Sequence, residues 1–460
     1  MSAAAQLKVL VSGAGIAGPC FAYWLARTRL RTSITVVERS PTPRVTGQAI
    51  DIHGPAIEIV RRMQLLEAIR ARYTTEQGTV FLNSAGKPVV QFDAGETFTA
   101  EYEILRADLS ELFLDATKPF DNIRYKYGDS IASVDQTSDE SCVRVKFASG
   151  EEDIFDVIVA ADGAASRTRP MIMNAQSVKH KRQQLHYGSD AKVNQSVTKD
   201  KQDDTNTEFE KSKGASFNFL GMYTAFFSIS SLPNDSRMWQ IYSLPKGLSM
   251  MIRPHRNPAT MGAYLSITMP QRGVRSPEID AAMDEGVAET KKMLHRYFDG
   301  CGWEAERVME GMDRADDFYA SGAVQVKLPK WTNGRGVLLG DTAWATFGAG
   351  TTLAIGGAYI LAGELAKIQS SADIPRALER YEEVFRPIYA KMDDLIPGFP
   401  QIMFPQTNWG IWTRDSVLWF CSKTKMYKLL AMGPGVHWDL PSYDWVDTEE
   451  SGMVKVKSLG

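Results

Sequence analysis

The amino-acid sequence predicts an α/β fold of two closely packed domains, and three observations carry this prediction. The chain has 460 residues, which is too long for one simple core. It opens with a β-α-β pattern, in which apolar strands at residues 7–12 and 34–39 flank a helix at residues 17–29. Alternating apolar residues over residues 217–268 then predict an antiparallel sheet. The first unit is typical of a Rossmann-type domain, and the second of a separate sheet domain.

Composition places the protein among globular enzymes. Hydrophobic residues make up 44% of the chain, charged residues 23%, and the net charge is -3. Such a chain lacks the basic field that binds phosphate backbones, so we expect no nucleic-acid partner. The scattered cysteines Cys20, Cys142, Cys301 and Cys421 form no metal-ligand spacing, so we expect reduced thiols, no metal and a cytoplasmic protein. The start of the chain lacks the pattern of a secretory signal, and glycines argue against a transmembrane span at residues 342–363.

Hydrophobic patterning divides the chain further. Helical spacing recurs over residues 55–72 and 106–117, and short strands follow up to residue 160. The predicted parts are a discontinuous nucleotide-binding domain at residues 1–75, 100–175 and 320–390, a sheet domain at 76–99 and 214–319, a polar and mobile insertion at 176–213, and a C-terminal helical appendage at 391–460.

A glycine-rich turn follows the first strand. In VLVSGAGIAGPC, the residues Gly13, Gly15 and Gly18 have the spacing G-x-G-x-x-G. The first glycine permits the tight turn, the second lets backbone amides approach a pyrophosphate, and the third lets the helix pack closely on the strand. Glu38 ends the second strand, where a carboxylate accepts hydrogen bonds from an adenosine ribose, and Arg39 follows it. Together these residues predict a dinucleotide site; the alternative for Glu38 is a surface acid.

Two later segments decide which dinucleotide is expected. DVIVAADGAASRTR at residues 156–169 and GRGVLLGDTAWATFGAGTTLAIGGAYILAGEL at 334–365 resemble the group A flavoprotein monooxygenases, the para-hydroxybenzoate hydroxylase-like family, especially its fungal and tetracycline-modifying branches. The resemblance covers nearly the whole chain. It implies the fold of that family, non-covalent FAD, and NAD(P)H as a co-substrate without its own domain. It further implies that molecular oxygen hydroxylates or epoxidises a small apolar or aromatic, secondary-metabolite-like substrate through a 4a-hydroperoxyflavin.

The resemblance also assigns cofactor contacts. Asp162 and Gly163 correspond to the pair that supports both FAD and the nicotinamide cofactor. Asp341, after Gly340, corresponds to the acid that holds the ribityl chain, which a carboxylate can do by accepting two hydroxyl hydrogen bonds. Arg106 corresponds to an arginine that reaches the flavin and the pyrophosphate. The alternatives are a helix N-cap for Asp341 and a surface ion pair for Arg106.

The remaining assigned contacts lie near the flavin ring. Arg44 and the loop GQAIDIHG, with Asp51, correspond to the segment beside the isoalloxazine. The turn FGAG leads into a helix at Gly350 and Thr351, whose amides and dipole would stabilise negative charge on reduced flavin. The catalytic acid and base, including any role for His53 or His255, stay unassigned.

One segment departs from the family pattern. GDTAWATFGAG is a few residues shorter than the family loop, lacks its proline, and has Trp344 in place of the usual His or Tyr. A changed loop beside the flavin affects the movement of the ring between its positions. Two alternatives therefore stay open: a flavoprotein oxidase or dehydrogenase that inserts no oxygen, and a flavin- or ligand-binding protein with little turnover.

Aromatic residues of the antiparallel stretch predict the substrate pocket. The candidate substrate contacts are Tyr223, Phe227 and Trp239, with Phe347 from the FGAG turn. Phe226 and Tyr242 offer further aromatic surface. The alternative for each is ordinary sheet core.

The C-terminal segment WGIWTRDSVLWFCSKTKMYKLL at residues 409–430 has apolar residues at helical spacing, with several basic residues between them. We expect a helix that covers the flavin domain; the alternative is weak contact with a membrane surface.

Overall fold

The computed structural model describes residues 6–43, 47–94, 102–136, 141–173, 215–393, 395–427 and 438–446. The predictions for Arg44 and for the insertion at residues 176–213 lie outside these residues.

The strands are β1 (Leu7–Ser12), β2 (Thr32–Glu38), β3 (Ala49–Asp51), β4 (Gly78–Leu82), β5 (Pro88–Asp93), β6 (Glu103–Leu105), β7 (Ile123–Tyr127), β8 (Ile131–Gln136), β9 (Val143–Phe147), β10 (Glu152–Phe155), β11 (Val157–Ala160), β12 (Ser216–Ser230), β13 (Trp239–Leu244), β14 (Leu248–Pro254), β15 (Thr260–Thr268), β16 (Tyr319–Lys327), β17 (Thr332–Asn333) and β18 (Gly336–Leu338). The α-helices are α1 (Ala17–Ala26), α2 (Pro55–Arg62), α3 (Leu66–Ala71), α4 (Arg106–Thr117), α5 (Thr168–Met173), α6 (Pro277–Glu285), α7 (Val287–Phe298), α8 (Ala305–Arg314), α9 (Asp341–Trp344), α10 (Gly350–Leu365), α11 (Ile374–Met392) and α12 (Asn408–Thr424).

A six-stranded sheet in the order β17-β18-β11-β1-β2-β7 forms the core of the nucleotide-binding domain. The strand β1 lies between β2 and β11 and is parallel to both. Val9, Leu10 and Val11 are all fully buried, because a parallel strand is covered on both faces. The helices α1 and α10 contact each other beside this sheet. The carboxyl ends of β1, β11 and β18 therefore meet at one edge, where ligands of such folds bind.

A seven-stranded sheet in the order β16-β12-β15-β14-β13-β4-β5 forms the second domain. The helices α6 to α8 contribute to a core on one of its faces. The strand β16 extends this sheet past the boundary we predicted at residue 319, because it pairs antiparallel with β12. The short sheet of β3 and β6 lies in the loops that face the seven-stranded sheet.

The C-terminal helix differs from the prediction. The helix α12 packs against β5 and β13 of the seven-stranded sheet, so the expectation that it covers the flavin domain is wrong. The segment from 438 to 446 takes that position instead: Trp445 contacts Trp24 of α1 at 4.7 Å, and Tyr443 contacts Tyr359 of α10 at 5.4 Å between ring centroids. Within the described part of the chain, no helix is long and apolar enough to cross a membrane.

Candidate functional site

The three glycines of the turn between β1 and α1 differ in how closely other atoms surround them. Gly13 has φ +108°, and a Cβ there would lie 2.5 Å from the Ala161 carbonyl oxygen. A Cβ on Gly18 would lie 2.1 Å from the Gly13 carbonyl oxygen. A Cβ on Gly15, in contrast, would meet no atom within 4 Å. The outer glycines are thus required by the fold, and Gly15 borders free space that a ligand can enter.

Glu38 holds this turn from the end of β2. One carboxylate oxygen accepts a hydrogen bond from the amide of Ala14 and the other from the amide of Ser40, both at 2.9 Å. A carboxylate has lone pairs beyond these two, so it can also accept from a ligand hydroxyl. Arg39, the next residue, is exposed at the rim.

The Asp162-Gly163 pair is anchored inside the protein. The Asp162 carboxylate accepts hydrogen bonds from the hydroxyls of Ser166 (2.5 Å) and Thr168 (3.0 Å). Gly163 has φ +89°, and its amide donates to the Thr342 hydroxyl at 2.9 Å. The Asp162 side chain therefore organises the loop before α5, and Gly163 joins this loop to the segment that contains Asp341.

Asp341 is a partly buried acid for which no described residue donates a hydrogen bond to the carboxylate. Burial raises the pKa of its carboxyl, and the charges of Arg106 and Arg169 lower it. Gly340 takes the N-cap position of α9, and Asp341 is the first residue of the helix rather than its cap. An acid at such a position gains stability when ligand hydroxyls donate to it.

The N-terminus of α10 lies beside this acid. A Cβ on Gly350 would be 3.1 Å from an Asp341 carboxylate oxygen. No side chain caps the helix, and its first turn, which includes Thr351, carries no acidic residue. The amides and dipole of this end therefore favour a negatively charged group.

Arg169 is a site residue that the sequence analysis missed. It is buried, with its Nε donating to the Thr342 carbonyl and a terminal nitrogen donating to the Ala164 carbonyl, both at 2.7 Å. These bonds fasten the loop after β11 to the loop after β18. The only sequence signal was its position in the segment ASRTR.

A buried charged cluster, also missed from the sequence, joins the two domains. Arg253 of β14 donates to Glu76 at 2.8 Å and to Glu103 of β6 at 2.7 Å, and all three side chains are buried. Asp51 pairs with Glu103 in the β3–β6 register. These residues are too far apart along the chain for any spacing rule to connect them.

The Arg253 cluster, formed by Asp51, Glu76, Glu103 and Arg253, has fewer positive than negative groups. Burial, reinforced by the Glu103 charge, raises the pKa of Asp51 to about 7, against the opposing effect of Arg253. Burial also raises the pKa of Glu76 to about 7, with Arg253 opposing this shift. One guanidinium cannot offset three carboxylates, so the cluster retains a proton close to neutral pH.

The histidines of this region favour the neutral form. The His53 ring nitrogen lies 3.9 Å from the Asp51 carboxylate, and burial lowers its pKa. Burial lowers the pKa of His255 to about 4. The pKa of Asp51, two residues before His53, lies near neutrality.

One face of the seven-stranded sheet is turned toward the β3 loop, the segment GQAIDIHG at residues 47–54 that contains β3. The Tyr264 hydroxyl accepts from the amide of Ala49 at 3.4 Å, and the Tyr319 hydroxyl accepts from the amide of Gln48 at 3.2 Å. Phe226 stacks on Tyr319 with ring centroids 4.9 Å apart. This face presents aromatic rings to the junction between the domains.

The predicted substrate residues divide between the two faces. Trp239 lies under Arg253, with 4.1 Å between the guanidinium carbon and the ring centroid, and so belongs to the junction. Tyr223 and Phe227 belong to the opposite face: Tyr223 donates to Asp280 of α6 at 3.0 Å, and Phe227 is buried beneath the helices. Both therefore lie away from the junction, because side chains alternate along β12 and Phe226 takes the junction side.

The shortened loop GDTAWATFGAG contains two large aromatic residues, Trp344 and Phe347, which differ in burial. Trp344 is fully buried against Trp331, with 4.6 Å between ring centroids, and Phe385, at 4.9 Å. It therefore belongs to the core of the nucleotide-binding domain. Phe347 is 44% exposed and contacts Phe399 at 4.9 Å.

These features define a flavoprotein of the two-domain type. A glycine turn opens to free space at Gly15, and Asp341 and the α10 N-terminus offer an acceptor and amide donors at the same edge of the sheet. Such a set fits FAD, whose pyrophosphate, ribityl hydroxyls and flavin ring need these partners.

Comparison with known proteins identifies the family. Residues 6–395 match the model of the FAD binding domain family. An FAD-dependent monooxygenase of Sarocladium schorii, asL4, is 30% identical, with 95% of this chain and 98% of the relative covered. The monooxygenase CTB7 of Cercospora beticola is 31% identical, with 96% and 99% covered. Among solved structures, the tetracycline destructase Tet(55) is 26% identical, with a TM-score of 0.67 and 95% and 99% covered. The chain belongs to this family of FAD-dependent monooxygenases, for which NAD(P)H is the usual co-substrate.

Proposed function

We propose that the protein inserts one oxygen atom from O2 into a small apolar or aromatic molecule, by hydroxylation or epoxidation, with NAD(P)H as reductant and in the cytoplasm. The observation that carries this proposal is the aromatic face of Phe226, Tyr264 and Tyr319 at the junction with the β3 loop. Such a surface suits a flat apolar ligand, since ring–ring contacts favour it over water. FAD, when bound, supplies the oxygen activation that side chains cannot supply.

The residues at the edge of the six-stranded sheet are proposed to hold the cofactor. The turn from Gly13 to Gly18 receives the pyrophosphate, and Glu38 accepts from the adenosine ribose. Asp341 accepts from the ribityl hydroxyls, and the α10 N-terminus stabilises negative charge on the ring system. Arg39, Arg44, Arg106 and Asp51 keep their assignments from the sequence as proposed cofactor contacts.

Asp51 is proposed to exchange a proton with groups bound at the junction. Its side chain is 31% exposed, so the carboxyl can meet a group bound at the junction while the charges of Glu103 and Arg253 act on it. Its pKa of about 7 is close to neutral pH, and an acid or base is most efficient when its pKa lies near the pH of the reaction.

A flavoprotein oxidase or dehydrogenase is the second candidate, and the short loop GDTAWATFGAG is the observation that favours it. Incorporation of labelled oxygen from ¹⁸O2 into the product separates the two functions. The test uses FAD-loaded protein and NADPH or NADH, with a panel of aromatic and terpenoid compounds. We expect one labelled atom in the product; an oxidised product without label supports the second candidate. Absence of NAD(P)H consumption with every compound supports a binding protein instead.

A further inference from the structure

The helix α12 has its charged side chains inside and its aromatic side chains outside. Arg414 and Asp415 are buried against the sheet and pair at 2.6 Å. Trp409, Trp412 and Trp419 face outward, with exposed fractions of 73%, 65% and 49%. A surface helix of a globular protein normally has the opposite arrangement. The outward side therefore requires a partner other than water.

The exposed residues form one continuous stripe. Trp409, Trp412, Ser416 and Trp419 recur at intervals of three and four residues, which places them on one face of the helix, and Val417 and Phe420 lie on the same side. This aromatic face consists of Trp409, Trp412, Ser416, Val417, Trp419 and Phe420. The preceding segment adds Ile396 and Ile402, exposed at 76% and 63%. The apolar surface is thus much larger than a single exposed side chain would give.

Within residues 395–427, the exposed charged side chains have one sign. From residue 395 to 427, Asp415 is the sole acidic residue, and Arg414 neutralises it. Lys423 and Lys425 are exposed at the C-terminal end of the helix. Lys246 is exposed near the other end, where its amide donates to the Gln406 carbonyl at 2.7 Å. An apolar stripe bordered by lysines complements a negatively charged lipid surface.

We propose that the aromatic face attaches the enzyme to the surface of an anionic lipid bilayer. Tryptophan favours the headgroup region, where its ring meets apolar chains and its N–H stays hydrogen-bonded. The helix then lies parallel to the membrane plane, with the lysines directed to the headgroups. This attachment does not depend on the substrate proposed above.

Sedimentation with vesicles tests the proposal. FAD-loaded full-length protein is mixed with vesicles of phosphatidylcholine alone or with added phosphatidylserine. We expect binding to the anionic vesicles and weaker binding to the neutral ones. The double variant W412S/W419S should bind about a hundredfold more weakly, since each buried ring contributes roughly a factor of ten. The variant K423Q/K425Q should lose about tenfold on anionic vesicles and little on neutral ones.

Leu232→Ser provides the matched control. Leu232 is 50% exposed, close to the value for Trp419, but it lies outside the aromatic face, so vesicle binding should not change. Retained FAD absorbance and an unchanged Tm show that the tryptophan variant is folded. Wild-type protein that stays in the supernatant with both kinds of vesicle contradicts the proposal. A wild-type dimer that W412S/W419S converts to a monomer, without vesicle binding, also overturns it and makes the face a self-association surface.

Discussion

Among single residues, Asp341 gives the most direct test of where the cofactor binds. A partly buried acid with a raised pKa and no donor among the described residues is unfavourable in the protein alone. Arg106 and Arg169 offset part of this cost through their charges. The rest is recovered when ligand hydroxyls donate to the carboxylate, which makes Asp341 a sensitive probe of cofactor binding.

Replacement of this acid should therefore act on the cofactor more than on the fold. We expect Asp341→Ala to raise the Kd for FAD by about tenfold to a hundredfold, since a hydrogen bond to a charged group contributes about 1.5–3 kcal/mol. Titration of the apoprotein with FAD, followed by flavin fluorescence, measures the change. Asp121→Ala, at an exposed position, is the control with unchanged Kd. An Asp341→Ala protein that binds FAD as tightly as wild type would contradict the ribityl assignment.

Asp51 predicts a pH dependence of stability. Its pKa rises from 3.8 to about 7 on folding, so the folded state binds the proton more tightly. This contribution is complete below pH 3.8 and is lost as the pH rises through about 7. Asp51→Asn, which stays neutral, should match wild type in acid and exceed it by about 2 kcal/mol above about pH 8, after allowance for solvent screening. Urea unfolding of the apoproteins across this pH range measures the difference in free energy of unfolding. A difference that does not change with pH would contradict the raised pKa of Asp51.

Single residues also show where sequence reasoning ends. The glycines were identifiable from their spacing directly after a strand, and Asp341 from its place in a segment that resembles the family. Arg253, Glu76 and Glu103 were not, because their partnership exists only after two domains meet. A single sequence has no signal for such a contact.

At the level of elements, the glycines of the β1–α1 turn serve different purposes. Gly18 is required by the fold, and Gly15 is expected to serve ligand binding. Gly15→Ala adds a methyl group to free space, so we expect an apoprotein of wild-type stability and FAD affinity reduced about tenfold. Gly18→Ala places the methyl group against the Gly13 carbonyl, so the apoprotein should lose about 2 kcal/mol or more. Thermal unfolding without FAD, and FAD titration, distinguish the two. Equal losses of stability would show that Gly15 also serves the fold.

The strand β12 shows the limit of a periodicity argument. Alternation predicted the strand and its aromatic content, but it could not decide which alternate set faces the junction. That choice depends on which face the helices α6 to α8 cover, as Tyr223 and Phe226 show. The helix α12 was misassigned for a related reason: both its faces are apolar enough to be buried, and the sequence did not show that the Arg414–Asp415 pair lies inside.

For the whole molecule, the Arg253 cluster is one of the contacts that join the two domains. Arg253→Met leaves Glu76 and Glu103 buried without their cation, so we expect a loss of about 4 kcal/mol, greater above pH 7 than in acid. Arg296→Met, which breaks the exposed pair with Glu278, should cost less than about 1 kcal/mol. Urea unfolding at two pH values measures both. A small, pH-independent effect of Arg253→Met would mean that the cluster contributes little to domain contact.

The packing of Trp445 on Trp24 has a consequence for biosynthesis. The cofactor domain takes β1 from the start of the chain, β18 from its later part and the segment near Trp445 from close to the end. Synthesis must therefore reach residue 341 before Gly13 and Asp341 can lie at the same edge of the sheet. A cofactor site that uses both residues cannot be complete on a shorter nascent chain, so we expect FAD binding to follow the synthesis of β18 and α9.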